Sequence, residues 1–190
     1  MLKKFSVSNF KCFKDKITLD LGAVNGYNFN SEAIKNGIVK SGIIYGHNGS
    51  GKSNIALGIF DITKHLTDLS RLDFRYYPYL NADSCQDHAD FEYTFVFNGV
   101  EVVYRYSKSS YDTLVSEELI IDSHPVVTFD RRYSQEFISH LDGTKNLNKT
   151  ISQPQLSALK YIRNNSELPD DKINRAFKEL FLSLIHISEP

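Results

Sequence analysis

Gly42-Ile43-Ile44-Tyr45-Gly46-His47-Asn48-Gly49-Ser50-Gly51-Lys52-Ser53 is the stretch on which the reading of this chain turns. Its first apolar residues, Gly42 to Tyr45, are too few for a helix and suit a short buried strand. Gly46 to Ser53 fit the spacing G-x-x-x-x-G-K-[ST]. Ile55, Leu57, Ile59, Phe60, Ile62 and Leu66 then spread around a helix, which predicts burial on more than one side. The predicted local order is strand, glycine loop, helix; the bland alternative is a Gly/Ser surface turn.

Each residue type in the loop has a chemical reason. Unpaired N–H groups at a helix N-terminus attract an anion. Glycines let the backbone wrap a phosphate where a Cβ would clash. Lys52 brings a mobile positive charge to the β- and γ-phosphates and is the candidate catalytic residue. Ser53 offers a hydroxyl to Mg²⁺, which prefers oxygen ligands and retains waters. The expected cofactors are thus ATP and Mg²⁺. The expected binding set is Gly46, His47, Asn48, Gly49, Ser50, Gly51, Lys52, Ser53 and Asn54, with Ser53 at the metal.

Outward from the loop, Phe5 and Val7 alternate with serines, and Ile17, Leu19 and Leu21 alternate with Thr18 and Asp20, predicting two strands around a lysine-rich bend. Residues 22 to 37 read as a loop, and 68 to 90 as irregular polar and aromatic chain. Phe91, Tyr93, Phe95 and Phe97, then Asn98-Gly99, then Val100, Val102, Tyr104 and Tyr106 predict a hairpin with a type I′ turn. That turn pairs 97 with 100 and 91 with 106, placing all these apolar side chains on one face. Leu114-Val115 with Leu119 to Ile121, and Val126 to Phe129, predict further strands. Ser152 to Arg163 and Pro169 to Phe181 predict helices, the second with Asp170 and Asp171 at its N-terminus.

The balance of 22 basic against 23 acidic side chains leaves a formal charge of −1, and 41% of residues are hydrophobic. This excludes a disordered chain or a wholesale polyanion binder. No apolar run approaches the ~20 residues of a membrane span. Two cysteines, Cys12 and Cys85, form no disulfide framework, so a cytoplasmic setting is expected. Neither D-x-x-G nor the guanine-reading N/T-K-x-D of GTPases occurs. Asp122 and Asp130 end apolar runs but are followed by Ser123 and Arg131, not glutamate, and read as ordinary strand ends.

Taken together, these motifs resemble the N-terminal part of ABC-type ATPases of the SMC, RecF and OLD group, the small bacterial "AAA family ATPases" of phage-defence systems among them. The opening Phe5 to Phe13 with its Asn9-Phe10-Lys11 bend, Asn48 before Gly49, and the 91–106 hairpin followed by Glu118-Leu119 carry the likeness. The resemblance implies an α/β P-loop half-domain with a mixed sheet, an antiparallel β-subdomain and a helical C-terminal part. It spans 1–181, with 68–130 as the β-subdomain and 131–181 as the helical start. It also implies ATP held between two protomers, a homodimer in the full-length protein, and a DNA or nuclease partner. Lys11 would approach the nucleotide, the alternative being a solvated lysine beside Lys3, Lys4, Lys14 and Lys16. Gln135, Gln153 and Gln155 stand open for the Mg²⁺-sensing glutamine.

The family's signature motif, its Asp-Glu strand and its switch histidine have no counterpart, and no glycine follows Gly143. Leu182 to Pro190 resembles a translated adapter read-through, so these residues are expected to be a non-native tail on a truncated chain, and His186 is not taken as the switch histidine. Two other functions compete: a non-catalytic nucleotide-dependent interaction module, and a small P-loop kinase, for which Arg131-Arg132 is the only adjacent arginine pair. Cys85 and His88 have ligand types but no second pair to complete a metal site. Tyr76, Tyr77 and Tyr79 read as packing or loop anchors in preference to base-stacking platforms.

Overall fold

A computed structural model describes residues 1–26, 31–67 and 76–188. The strands are β1 (Leu2–Ser8), β2 (Ile17–Asp20), β3 (Ile34–Lys35), β4 (Ile38–Val39), β5 (Ala89–Phe97), β6 (Val100–Ser110), β7 (Thr113–Ile121), β8 (His124–Asp130) and β9 (Ile138–Ser139). The helices are α1 (Lys52–Leu66), α2 (Ala158–Asn165) and α3 (Lys172–Ser188). Seven strands form one sheet in the order β2-β1-β5-β6-β7-β8-β9, and β3 pairs with β4 in a separate ribbon.

The β5–β6 hairpin forms in the register the alternation predicts, from Phe97 opposite Val100 to Phe91 opposite Tyr106. Asn98 and Gly99 take φ values of 50° and 80°, as a type I′ turn requires. All of its inward apolar residues are buried. They meet α1, α2 and α3 in one core, while Glu92, Arg105, Glu118 and Thr128 form a polar row across the opposite face.

The expected α/β P-loop architecture with a mixed sheet is corrected here. Every pairing in the seven-stranded sheet is antiparallel, β1 with β5 included. Gly42 to Tyr45, the expected buried strand, joins neither sheet, and Ile43 and Tyr45 are 86% and 87% exposed. A parallel order needs a strand before the loop to which a crossover helix can return. Without it, the chain instead runs through successive hairpins from β5 to β9.

Smaller differences follow from local chemistry. Ser157 caps α2 by accepting from the backbone N–H of Leu159 and Lys160, so this helix starts well after Ser152. The chain from 131 to 157 is turns and irregular chain with β9. The strand expected from Leu114-Val115 and Leu119 to Ile121 forms as β7. Helix α3 runs past Phe181 through the expected tail to Ser188, and Leu184 is buried in the core. The 68–75 part of the predicted irregular segment lies outside the described residues. Among the described residues no helix is long and apolar enough to cross a membrane.

Candidate functional site

The glycine loop leads directly into α1. Gly51 occupies the N-cap position with φ 90°, and Lys52 is the first helical residue. Gly49 also has a positive φ, 83°. Of the loop's backbone donors, Ser50 N–H is bonded to the His47 carbonyl, and Ile55 N–H to that of Gly51. Among the described residues, no acceptor meets the N–H groups of Asn48, Gly49, Gly51, Lys52, Ser53 or Asn54. These donors lie at the positive end of the 15-residue helix dipole.

The Lys52 ammonium folds back across the loop and donates to the carbonyls of Gly46 and His47, both at 2.7 Å. An ammonium has three protons, so one remains for an anion. No carboxylate among the described residues pairs with Lys52. Ser53 is exposed beside it.

The bend after β1 closes one wall. A Cβ on Gly51 would sit 2.8 Å from Cys12 Sγ and 2.9 Å from Phe13 Cε1, so only glycine fits there, for both its φ and its contacts. Asn54 Nδ2 donates to Cys12 Sγ at 3.0 Å. Cys12 and Phe13 were not singled out as loop neighbours by sequence; the signal was the Asn9-to-Phe13 bend itself. The bend is in turn clamped. Asn9 Nδ2 donates to the carbonyls of Gln86 and His88, Asn81 Nδ2 donates to that of Lys11, and Lys11 N–H bonds to the Tyr79 carbonyl. Lys11 Nζ reaches the Pro78 carbonyl at 3.1 Å.

Helix α1 is locked to the sheet along its other face. Gly58 permits the close approach, since a Cβ there would lie 2.9 Å from Phe5 Cζ. The Tyr93 hydroxyl donates to the Gly58 carbonyl. One turn on, the buried Asp61 carboxylate accepts from Tyr79, from Tyr106 at 2.9 Å and from Lys108 at 2.7 Å. Burial pulls the Lys108 ammonium below its ordinary pKa, and Asp61 pulls it back up. Burial raises the Tyr79, Tyr93 and Tyr106 phenols well above theirs, reinforced by Asp61, so they remain donors.

The network continues from His65. Tyr104 donates to Glu117 at 2.8 Å, so at 3.0 Å it accepts from His65 Nε2–H. Among the described residues, His65 Nδ1 is then a buried acceptor with no partner. Burial holds this imidazole well below its usual pKa, and Lys108, Arg131 and Lys160 add to the effect. Glu117 accepts from Ser157 Oγ and from Ala158 N–H at 3.0 Å, tying the α2 N-terminus to the same cluster. The helix behind the loop is therefore fixed by paired polar groups as well as by packing.

The remaining sequence candidates lie apart from the loop. Gln135, Gln153 and Gln155 are exposed and no hydrogen bond joins them to it. Asp122 sits in the β7–β8 turn and pairs with Lys172 at 2.6 Å, while Asp130 pairs with Arg132 at 2.7 Å. Arg131 bonds to the Leu156 carbonyl at 2.6 Å. His88 bonds to its neighbour Asp87, and no group of three metal-ligating side chains occurs among the described residues. Tyr76 and Tyr79 are buried anchors, but Tyr77 is 85% exposed.

The donor set fits a phosphate chain: amides open and one cation without a counter-charge among the described residues, and glycines where side chains would intrude. For Mg²⁺ the loop contributes the Ser53 hydroxyl, so the other ligands would be phosphate oxygens and water. The chain matches no protein-family model, and no curated protein matches it.

Proposed function

We propose that residues 46–54 bind the triphosphate of ATP with Mg²⁺, and that the chain is the ATP-binding portion of an ABC-type ATPase resembling the SMC, RecF and OLD group. The observation that supports this most is the run of unbonded amides at the α1 N-terminus, with Lys52 folded across the loop. Gly49, Gly51, Lys52 and Ser53 would surround the β-phosphate through their N–H groups. Lys52 would offer charge to the β- and γ-phosphates, and Ser53 a hydroxyl to the metal. Bound Mg²⁺ would neutralise phosphate charge.

In the full-length parent, ATP would lie between two copies, and hydrolysis would need groups from the second. The 190-residue chain is accordingly expected to bind ATP·Mg but to turn it over negligibly. A DNA or nuclease partner, and a role in phage defence, belong to the same proposal and rest on the resemblance alone.

Calorimetric titration with ATP·Mg²⁺ tests the reading. Lys52→Ala should weaken binding at least about tenfold, the loss of one charge-assisted contact. Lys145→Ala, an exposed lysine away from the loop, should leave it unchanged. Equal affinities for wild type and Lys52→Ala would end the proposal.

A further inference from the structure

The phosphate loop has two walls that lie far apart in the sequence. The start of α1 supplies the open amides, and the 9–13 bend closes against Gly51 through Cys12 and Phe13. Direct contact between the two consists of this packing and of the Asn54 bond to Cys12 Sγ at 3.0 Å. Thiol sulfur is a weak acceptor, so that bond alone holds the walls together poorly. Their spacing must be set by something behind them.

Tyr79 touches both sides. Its carbonyl accepts from the Lys11 N–H at 3.0 Å, inside the bend, and its ring packs edge-on against Phe10 at 5.2 Å. Its hydroxyl donates to Asp61 Oδ1 on α1 at 3.1 Å. Tyr106 and Lys108 donate to the other oxygen of the same carboxylate, so Tyr79 ends on a point of the helix that the sheet already fixes. The neighbours of Tyr79 extend its grip on the bend: Leu80 bridges to Phe10, and Asn81 Nδ2 donates to the Lys11 carbonyl at 2.6 Å. Asp61 follows Lys52 by about 2.5 turns of one helix, and a hydrogen-bonded helix moves as a rigid rod over that length. Fixing Asp61 relative to the bend therefore fixes the loop's amides relative to Cys12 and Phe13.

We infer that Tyr79 is a positioning residue for the phosphate loop, a strut between the 9–13 bend and α1 that holds the two walls at their working separation before an anion arrives. The inference rests on the proposed phosphate site and adds the element that pre-organises it. A cradle whose walls must first be drawn together spends part of the ligand's binding energy on that ordering, whereas a cradle held ready does not. Tyr79 is buried and offers the ligand no surface, so its influence reaches the phosphates through the loop and is indifferent to the base.

The experiment compares two single-hydroxyl deletions on the intact chain. Tyr79→Phe keeps the ring, its packing and the backbone bond to Lys11, and removes only the tie to Asp61. Tyr93→Phe is the matched control: it removes a buried hydroxyl that donates to the same helix at Gly58 and also meets Tyr106, with no side-chain bond to the bend among the described residues. Titration with ATP and with inorganic tripolyphosphate, each with Mg²⁺, should show Tyr79→Phe binding both about fivefold more weakly, the order of one hydrogen bond, and Tyr93→Phe binding both as wild type does. Urea unfolding should show similar losses for the two variants. With Cys85→Ser in the background, Cys12 is the sole thiol and should react faster with an aromatic disulfide reagent in Tyr79→Phe than in Tyr93→Phe, because the sulfur is released from Gly51 and Asn54. Wild-type affinity in Tyr79→Phe, or equal losses in the two variants, would refute the strut while the phosphate loop stands. A loss for ATP alone would refute it too, since the effect would then lie at the base. If wild type binds neither ligand, the phosphate-loop reading falls and the strut falls with it.

Discussion

Two apolar stretches, Ile43 to Tyr45 and the 91–106 hairpin, look equally suited to a buried strand, and only the second is buried. The hairpin's partners are supplied close by: β1 on one edge, β7 on the other, and helices over its apolar face. Ile43 to Tyr45 joins no sheet, and its side chains face solvent. Hydrophobicity selects residues for burial, but a strand is buried only where another strand accepts its backbone hydrogen bonds. The contrast also separates two parts of the loop's surroundings. The helix behind Lys52 is fixed from three sides, while the segment before Gly46 is held by few contacts.

The largest effects should lie in the hairpin core. Phe91 stacks on Tyr106 at 4.9 Å and packs edge-on to Phe10 at 5.3 Å. Phe91→Ala should cost about 4 kcal/mol in urea-monitored unfolding, from lost burial plus the cavity left behind. A cost under about 1 kcal/mol would mean that the ring is not buried as described and would erase the contrast with Ile43. Next comes the polar part of the same core. Lys108→Met removes the cation from a fully buried Asp61 and should cost about 3 kcal/mol. Combining it with Asp61→Asn should recover part of that loss, because the buried charge is then gone. Strict additivity in the double-mutant cycle would show that the two groups do not interact.

The same contrast explains what was legible in the sequence. The β5–β6 register could be read because period-2 alternation and Asn98-Gly99 specify it within a few residues, with no distant partner needed. That a helix follows the glycine loop was legible for a similar reason, since the loop spacing acts locally; the structure starts that helix at Lys52, inside the motif. The sheet's overall order was not. That β1 pairs with β5 joins residues some ninety positions apart, and no local pattern encodes which edge a strand will take. The mixed sheet was expected from the resemblance, with Gly42 to Tyr45 read as a buried strand before the loop; their composition describes a strand but says nothing of its neighbours. Asp61, Lys108 and Glu117 were also missed, because charged residues in otherwise amphipathic elements read as solvated until their partners converge in space. Tyr77 was grouped with two anchors by composition, and only exposure sets it apart.

A smaller effect should appear with acid. His65 is neutral in the fold, with a pKa below its unfolded value near 6.5. Between the two values the unfolded chain binds a proton that the folded chain refuses, so stability rises with pH across that window. The stabilisation is complete above about pH 6.5 and declines below it by up to about 1.4 kcal/mol per pH unit. Lys108, Arg131 and Lys160 oppose the proton, while Asp61 and Glu117 face the same cluster from helix and sheet. His65→Gln keeps a donor for Tyr104 but does not titrate, so its unfolding free energy between pH 5 and 7 should be flatter than wild type. An unchanged slope would place the titration elsewhere.

The smallest expected change belongs to the exposed stretch itself. Ile43→Ser with Ile44→Ser removes two large apolar side chains, a substitution that would cost several kcal/mol in the hairpin. Here it should alter unfolding free energy by no more than about 0.5 kcal/mol, since these residues bury little to lose. It should also raise solubility, because an exposed apolar run with unpaired backbone is a surface on which further chains can add as strands. The two measurements together are informative. A stability loss of several kcal/mol would mean that Ile43 and Ile44 are buried in solution, restoring the strand before the loop. Unchanged stability with less aggregation would mean that the loop's leading segment contributes to association and not to the fold, leaving α1 and the 9–13 bend to hold the phosphate-binding backbone in place.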